Sequence, residues 1–159
     1  MTALIDPREF TEAATLLRSF FLARGFLEVH TQNRLSILAA CEDPTTVATY
    51  NYNNEVWPLP QTGQMWLEQE LLKAPHTKGL FCMSTSYRQE PNIVEGRHET
   101  IFPMFEFEFP GTVSDLEEME RDLMAHCNFC ARDQIVDKDY LEWCEIFHTE
   151  ELDHDHERD

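Results

Sequence analysis

Ser84-Thr85-Ser86-Tyr87-Arg88-Gln89-Glu90, followed after a polar connector by Phe102-Pro103-Met104-Phe105-Glu106-Phe107-Glu108-Phe109, is the stretch on which the fold turns. Alternation with period two predicts strands over 80–90 and 102–109. Ser84, Ser86, Arg88 and Glu90 share one face of the first. Phe102, Met104, Glu106 and Glu108 share one face of the second, with Phe105, Phe107 and Phe109 opposite. The phenylalanine face is the buried one. The other face offers an arginine, two or three carboxylates and one aromatic ring, a set that suits either a ligand site or a solvated sheet surface. Pro91 to Thr100 is too long and too polar for a tight hairpin turn.

Upstream, residues 7–24 read as an amphipathic helix. Pro7 suits its first turn, and Phe10, Ala13, Leu16, Leu17, Phe20 and Phe21 recur at helical spacing before Gly25 ends it. Phe26 to His30 follows as a short strand, and 31–49 is expected to be loop with some local structure. Trp57-Pro58-Leu59-Pro60 cannot be a central strand, because its prolines remove ladder donors. A helix is expected over Met65 to Lys73. Ser114-x-x-Glu117 reads as a capping box opening an acidic helix that runs to about Arg132. A last short helix is expected over Tyr140 to Phe147.

The chain has 159 residues, 42% hydrophobic, with 11 Phe, 3 Trp and 4 Tyr, enough for one domain with a core. No apolar run approaches the roughly 20 residues of a membrane span. The N-terminus lacks the pattern of a signal peptide, so a soluble, cytoplasmic protein is expected. Thirty acids against 12 bases give a net charge of −18. Residues 1–110 carry 14 acids and 8 bases (−6), and 111–159 carry 16 and 4 (−12). Such a field repels a phosphate backbone, which argues against DNA as a partner, while a few arginines suffice for a small ligand. Cys127-x-x-Cys130 has no second pair to complete a zinc site. With Leu116, Met119 and Leu123 it follows helical spacing, so both thiols are expected to be buried on one helix face. His154 and His156 in the acidic tail read as part of a solvated charge run. No metal site is visible.

Arg88-x-Glu90, the polar loop with Arg97 and His98, and Phe102 together resemble motif 2 of the class II aminoacyl-tRNA synthetases. Gly25 to Thr31, entered from the long helix, resembles motif 1 of that class. Gln61-Thr62-Gly63-Gln64-Met65-Trp66-Leu67-Glu68 resembles the amino-acid-binding segment of the aspartyl/asparaginyl/lysyl subgroup. Cys41-Glu42 sits where that subgroup carries a substrate-covering loop. These segments stand in the family's order. The resemblance implies an α+β fold, an antiparallel sheet flanked by helices, of which residues 1–159 form a partial catalytic domain. Within it, 7–32 is the motif 1 helix and strand, 57–73 the amino-acid segment, 80–109 the motif 2 strand–loop–strand, and 110–159 an acidic helical region. A homodimer through residues 8–32 is implied.

The implied activity is attack of an amino-acid carboxylate on the α-phosphate of ATP, giving an aminoacyl-adenylate. Two anions must meet, and an arginine touching both lowers their repulsion and stabilises the transition-state charge. By resemblance this is Arg88. Arg97 and His98 would hold the γ-phosphate, Phe102 would stack on adenine, and Glu90 would accept from its amine. Glu42, Gln64 and Glu106 would receive the substrate ammonium, and Gln61, Gln64 and Glu68 belong to the segment that discriminates side chains. Leu67 stands where the aspartyl pattern has lysine, and Glu68 follows as in the asparaginyl pattern.

Three positions depart from the family. Gln32 replaces the motif 1 proline, Ile101 stands where an acidic residue commonly precedes the stacking phenylalanine, and no Gly-rich motif 3 with its arginine follows. The Mg²⁺ ligands that accompany ATP are therefore expected outside this chain. Motif 1 begins almost at Met1, so no anticodon-binding barrel is expected, and the acceptor, tRNA or the ammonia used by synthetase-related asparagine synthetases, stays open. The expected function is activation of aspartate or asparagine. The alternatives are a non-catalytic paralogue that binds nucleotide, amino acid or a partner protein, and a purely structural interaction domain.

Overall fold

A computed structural model describes residues 5–31, 44–96 and 98–147. Helix α1 (Pro7–Ala23) starts where Asp6 accepts from the backbone N–H groups of Arg8 (2.8 Å) and Glu9 (3.1 Å), with Pro7 in the first turn. It ends at Gly25, whose φ of 81° allows Phe26 N–H to donate to Phe21 O and Gly25 N–H to Leu22 O. This reversal delivers the chain into β1 (Leu27–Glu28). Two-residue type I′ geometry at Asn53 and Asn54 (φ 59° and 63°) joins β2 (Thr49–Tyr52) to β3 (Glu55–Pro58). Then come α2 (Gln64–Lys73), β4 (Leu80–Tyr87), β5 (Ile101–Glu108), α3 (Val113–His126) and α4 (Tyr140–Phe147).

The main sheet has the order β1-β4-β5. β4 and β5 form the expected antiparallel pair, in the register Leu80↔Glu108 to Tyr87↔Ile101, and β1 joins β4 in parallel. The hairpin β2–β3 is a separate two-stranded sheet, so Trp57 and Pro58 indeed lie in no central strand. Phe20, Phe21, Phe26 and Phe81 form the buried cluster on one face, and Phe105, Phe107, Phe109, Met119 and Leu123 pack against it. The Phe21 ring lies 4.8 Å from Phe107, 5.2 Å from Phe105, 5.3 Å from Phe26 and 5.6 Å from Phe81, centre to centre. Gly79 admits this packing, because a Cβ there would stand 2.3 Å from the Phe26 ring. On the other face α2 covers Leu80 and Cys82 with Leu67 and Leu71. Helices thus flank both faces of the sheet.

Several sequence expectations are corrected. The strands end at Tyr87 and Glu108 rather than at 90 and 109. The hairpin is absent from the sequence expectations, although Asn53-Asn54 between Tyr and Val/Trp residues is a turn signal. In the segment 31–49, of which 32–43 lie outside the described residues, the expected local structure is a 3₁₀ turn at Pro44–Thr46, and the one difference is that Thr49 already belongs to β2. The acidic helix stops at His126, not Arg132, because Asn128 takes φ 59° and Phe129 N–H reaches back to Met124 O. Its capping box is Thr112 with Asp115, two residues earlier than Ser114 with Glu117. Cys127 therefore caps the helix and Cys130 lies beyond it. Both are half-buried, whereas Cys82 and Cys144 are buried, and all four are free thiols. On α1, Ala14 rather than Ala13 is buried, and Phe10 and Leu16 face outward. No helix among the described residues is long and apolar enough to cross a membrane.

Phe21→Ala removes the ring that joins both strands to α1, and is expected to cost about 3–5 kcal/mol in urea unfolding. Leu22→Ala, at a side chain 54% exposed, should change stability by no more than about 0.5 kcal/mol. Comparable losses in the two variants would show that the aromatic cluster is not the core.

Candidate functional site

The β4–β5 register places Ser86 opposite Phe102, Ser84 opposite Met104, and Cys82 opposite Glu106. The face away from the phenylalanines is not simply solvated: Ser86 is fully buried and Glu106 and Glu108 are half-buried. Two segments cover its ends. At the far end of β4, Tyr87 N–H donates to Pro60 O (2.9 Å) and Gln89 N–H to Thr46 O (2.9 Å). At the near end lies the N-terminus of α2.

Arg88 extends the ladder by donating its N–H to Thr100 O (2.8 Å), and its guanidinium stands 5.8 Å from the Phe102 ring centre. Arginine and aromatic thus form one wall of the face, with half-buried Glu90 two residues further on. His98 is tied into its own loop: Nδ1 accepts from Val94 N–H (3.2 Å), and its backbone N–H donates to Val94 O (3.0 Å). Gly96 makes that turn with φ 78°. Arg97 and Glu42 lie outside the described residues, as do Gln32 and the histidines of the tail.

Of the amino-acid candidates, Gln64, Glu68 and Glu106 are brought together, and Glu108 joins them as a residue outside the expected set. Gln64, Glu68 and Glu108 line a cleft of about 460 Å³ with Leu71 and Pro75. Burial pushes the Glu108 carboxyl above its usual range; a hydrogen bond from Gln64 opposes this, while Glu68 and Glu106 add to it. Gln61 is elsewhere. It is fully buried, donating through Nε2 to Thr46 O (2.9 Å) and Thr46 Oγ1 (2.8 Å), while its Oε1 and the Ser86 hydroxyl have no hydrogen-bond partner among the described residues. Gln61 thus props the 44–46 turn against the site rather than facing the cleft.

Glu106 holds the loop before α2. Its Oε1 accepts from the Thr62 hydroxyl, and its Oε2 from Gly63 N–H (2.7 Å) and the Ser84 hydroxyl (2.8 Å). Beneath lies Cys82, whose thiol burial pushes up to about 12, with Glu106 adding to the shift, so it stays protonated and inert. Thr46 is a neighbour that sequence reasoning missed, and Thr62 and Gly63, quoted there only as part of the amino-acid segment, prove to be partners of Glu106. A glycine directly before a helix was the available signal. A second cleft, of about 490 Å³, draws most of its strand lining from the opposite face, Met83, Thr85, Tyr87, Ile101 and Pro103, and also includes Phe10, Ser84 and Phe102. Among the described residues no group of three or more His, Cys, Asp or Glu is placed to hold a metal ion.

Because burial raises the folded-state pKa of Glu108, its contribution to stability is complete below about pH 4, the ordinary glutamate range. That contribution is lost as pH rises through the folded value. The urea midpoint of the wild type should therefore fall relative to Glu108→Gln as pH is raised toward neutrality. Parallel pH profiles for the two proteins would refute the assignment.

No family model matches the chain, and no curated protein sequence does so either. Solved structures do. Asparaginyl-tRNA synthetase from Pyrococcus horikoshii, complexed with asparaginyl-adenylate, superposes with a TM-score of 0.61 at 23% identity, over 71% of this chain and 25% of that one. Two structures of the Entamoeba histolytica asparaginyl-tRNA synthetase, one complexed with asparaginyl-adenylate, give 0.62 at 24% identity, over 74% of this chain and 25% of theirs. The chain spans about a quarter of the length of these enzymes. It carries the α+β fold of part of a class II synthetase core, a sheet flanked by helices, as asparaginyl-tRNA synthetases have it.

Proposed function

We propose that this chain is part of an ATP-dependent ligase that activates an amino acid as its adenylate. The observation that carries the reading is Arg88 standing beside Phe102 on the same sheet face as Gln64 and Glu106. Arg88 bridges the α-phosphate and the attacking carboxylate, Phe102 stacks on adenine, and Glu90 accepts from the adenine amine. Arg97 and His98 take the γ-phosphate. Glu42, Gln64, Glu68 and Glu106 serve the amino-acid side, and Gln61 supports it from behind by holding the 44–46 turn. ATP enters with Mg²⁺, whose ligands come from outside the described residues.

Asparagine is favoured over aspartate. Gln64 donates to Glu108, Glu68 and Glu106 stand near that carboxyl, and Leu67 brings no cation to the segment, so a second substrate carboxylate would meet like charge. The organisation is that of residues 1–159 as one partial domain, with 7–32, 57–73 and 80–109 building the site and 110–159 supporting it. Outward-facing Phe10, Leu16, Leu22 and Leu27 suit a homodimer contact through residues 8–32. The acceptor is tRNA or ammonia, and the free thiols suit a cytoplasmic setting. A second reading, a half-core that binds without chemistry, is favoured by one observation: β5 has no partner on its outer edge among the described residues.

Titration calorimetry with ATP tests the common ground of both readings. Binding should weaken about 10- to 100-fold in Arg88→Ala, the scale of one lost set of charge-assisted hydrogen bonds. Asparagine-dependent exchange of pyrophosphate into ATP then separates ligase from binder. Intact protein that takes up no nucleotide would end both.

A further inference from the structure

The family resemblance assigns Glu106 to the substrate ammonium, but its surroundings give it another task. A carboxylate offers roughly four acceptor sites. Three are occupied from within the chain, by the Thr62 hydroxyl, Gly63 N–H and the Ser84 hydroxyl, and the Cys82 thiol approaches Oε2 as a weak fourth donor at 4.0 Å. Two of these donors belong to the loop that opens α2, and the others belong to β4, so the carboxylate ties one to the other. The loop continues the same arrangement, since Thr62 Oγ1 accepts from Gln64 N–H at 3.0 Å. Gly63 is packed against the clamp: a Cβ there would lie 2.8 Å from Cys82 Sγ, 3.0 Å from Glu106 Oε2 and 3.1 Å from Thr31 Cγ2. Its φ of −93° makes no demand for glycine, so close approach is the reason for it.

We propose that Glu106 is a positioning residue that fixes the Thr62–Gln64 loop on the sheet, and that Gln64, carried by this loop, is what meets the amino acid. The inference rests on the amino-acid-activating reading for its substrate half and on geometry alone for the clamp. A glutamine at 106 would keep the shape but turn an amide N–H₂ toward donors, which leaves at least one buried donor unpaired.

The test has two arms on the full chain. In the first, amide hydrogen exchange compares wild type, Glu106→Gln and Ser84→Ala without ligand. Gly63 N–H should exchange at least ten-fold faster in Glu106→Gln and by an intermediate factor in Ser84→Ala, with Phe81 unchanged. Equal Gly63 rates in all three would overturn the clamp. Faster exchange at Phe81 as well would mean that the glutamine variant has lost its fold. Ser84→Ala then decides alone, faster Gly63 exchange supporting the clamp and an unchanged rate overturning it. In the second arm, calorimetry with an α,β-methylene ATP analogue present measures asparagine and succinamic acid, which is asparagine without its amino group. Positioning predicts that Glu106→Gln weakens both by a similar factor, about ten-fold. Weakening of asparagine alone would make Glu106 a direct ammonium ligand and overturn the proposal. Wild type that binds neither would sink the amino-acid reading and the substrate half with it, while Gly63 exchange would still decide the clamp.

Discussion

The antiparallel register of β4 with β5 is the constraint on which everything else hangs. Period two leaves no freedom: once Phe81, Phe105 and Phe107 face α1, then Cys82, Ser84, Glu106 and Glu108 must face the other way. A slip by one residue would place carboxylates in the aromatic cluster. The cost of burying them unpaired far exceeds anything the site could return. The phenylalanines therefore specify the site as firmly as they specify the core, without touching it. Phe21 is central because one ring meets both strands and β1's approach through Phe26.

The same sheet explains how an acidic chain can hold a polar cleft together. Away from the site, charges are arranged as exposed pairs, such as Arg18 with Glu28 and Arg24 and Arg132 with Asp122, which add little stability individually. Within the site the carboxylates are answered by neutral donors instead: backbone N–H and hydroxyls at Glu106, the Gln64 amide at Glu108. Neutral donors satisfy the oxygens without cancelling the charge. The cleft keeps a negative field toward whatever enters, and Arg88 stands across the face from it. A site divided this way suits a ligand with an anionic end and a cationic or amide end.

How much of this was legible in the sequence depended on the kind of signal. The alternation in 80–109 and the helical spacing in 7–24 are repeated over many residues, and both correspond to the elements observed. Features governed by one residue were lost. Asn128 ends α3 through a left-handed turn, yet asparagine in a polar stretch carries no periodic mark. Ser114 and Thr112 both offer a hydroxyl, and only the chain path after Pro110 decides that Thr112 caps. In the site, Arg88, Phe102, Gln64 and Glu106 were legible as chemistry. The division of labour between them was not, because whether Glu106 points at a ligand or at Gly63 depends on a loop 43 residues earlier in the chain.

That long-range contact also bears on how the site is held in a sheet with an open side. β5 presents an unpaired edge among the described residues, and an exposed edge is normally where a sheet frays or pairs wrongly. Pro103 lies within β5 and cannot donate to any strand approaching it, which blunts the edge. The site does not rely on that outer side. Glu106 is fixed through β4 and the loop before α2, Ser84 sits on β4, and Arg88 is held by Thr100 at the inner ladder. All of these bonds run from β5 inward. The Glu106 carboxylate and the Arg88–Phe102 wall are therefore held from β4 and the loop before α2, so their geometry does not depend on what stands beside the outer edge of β5.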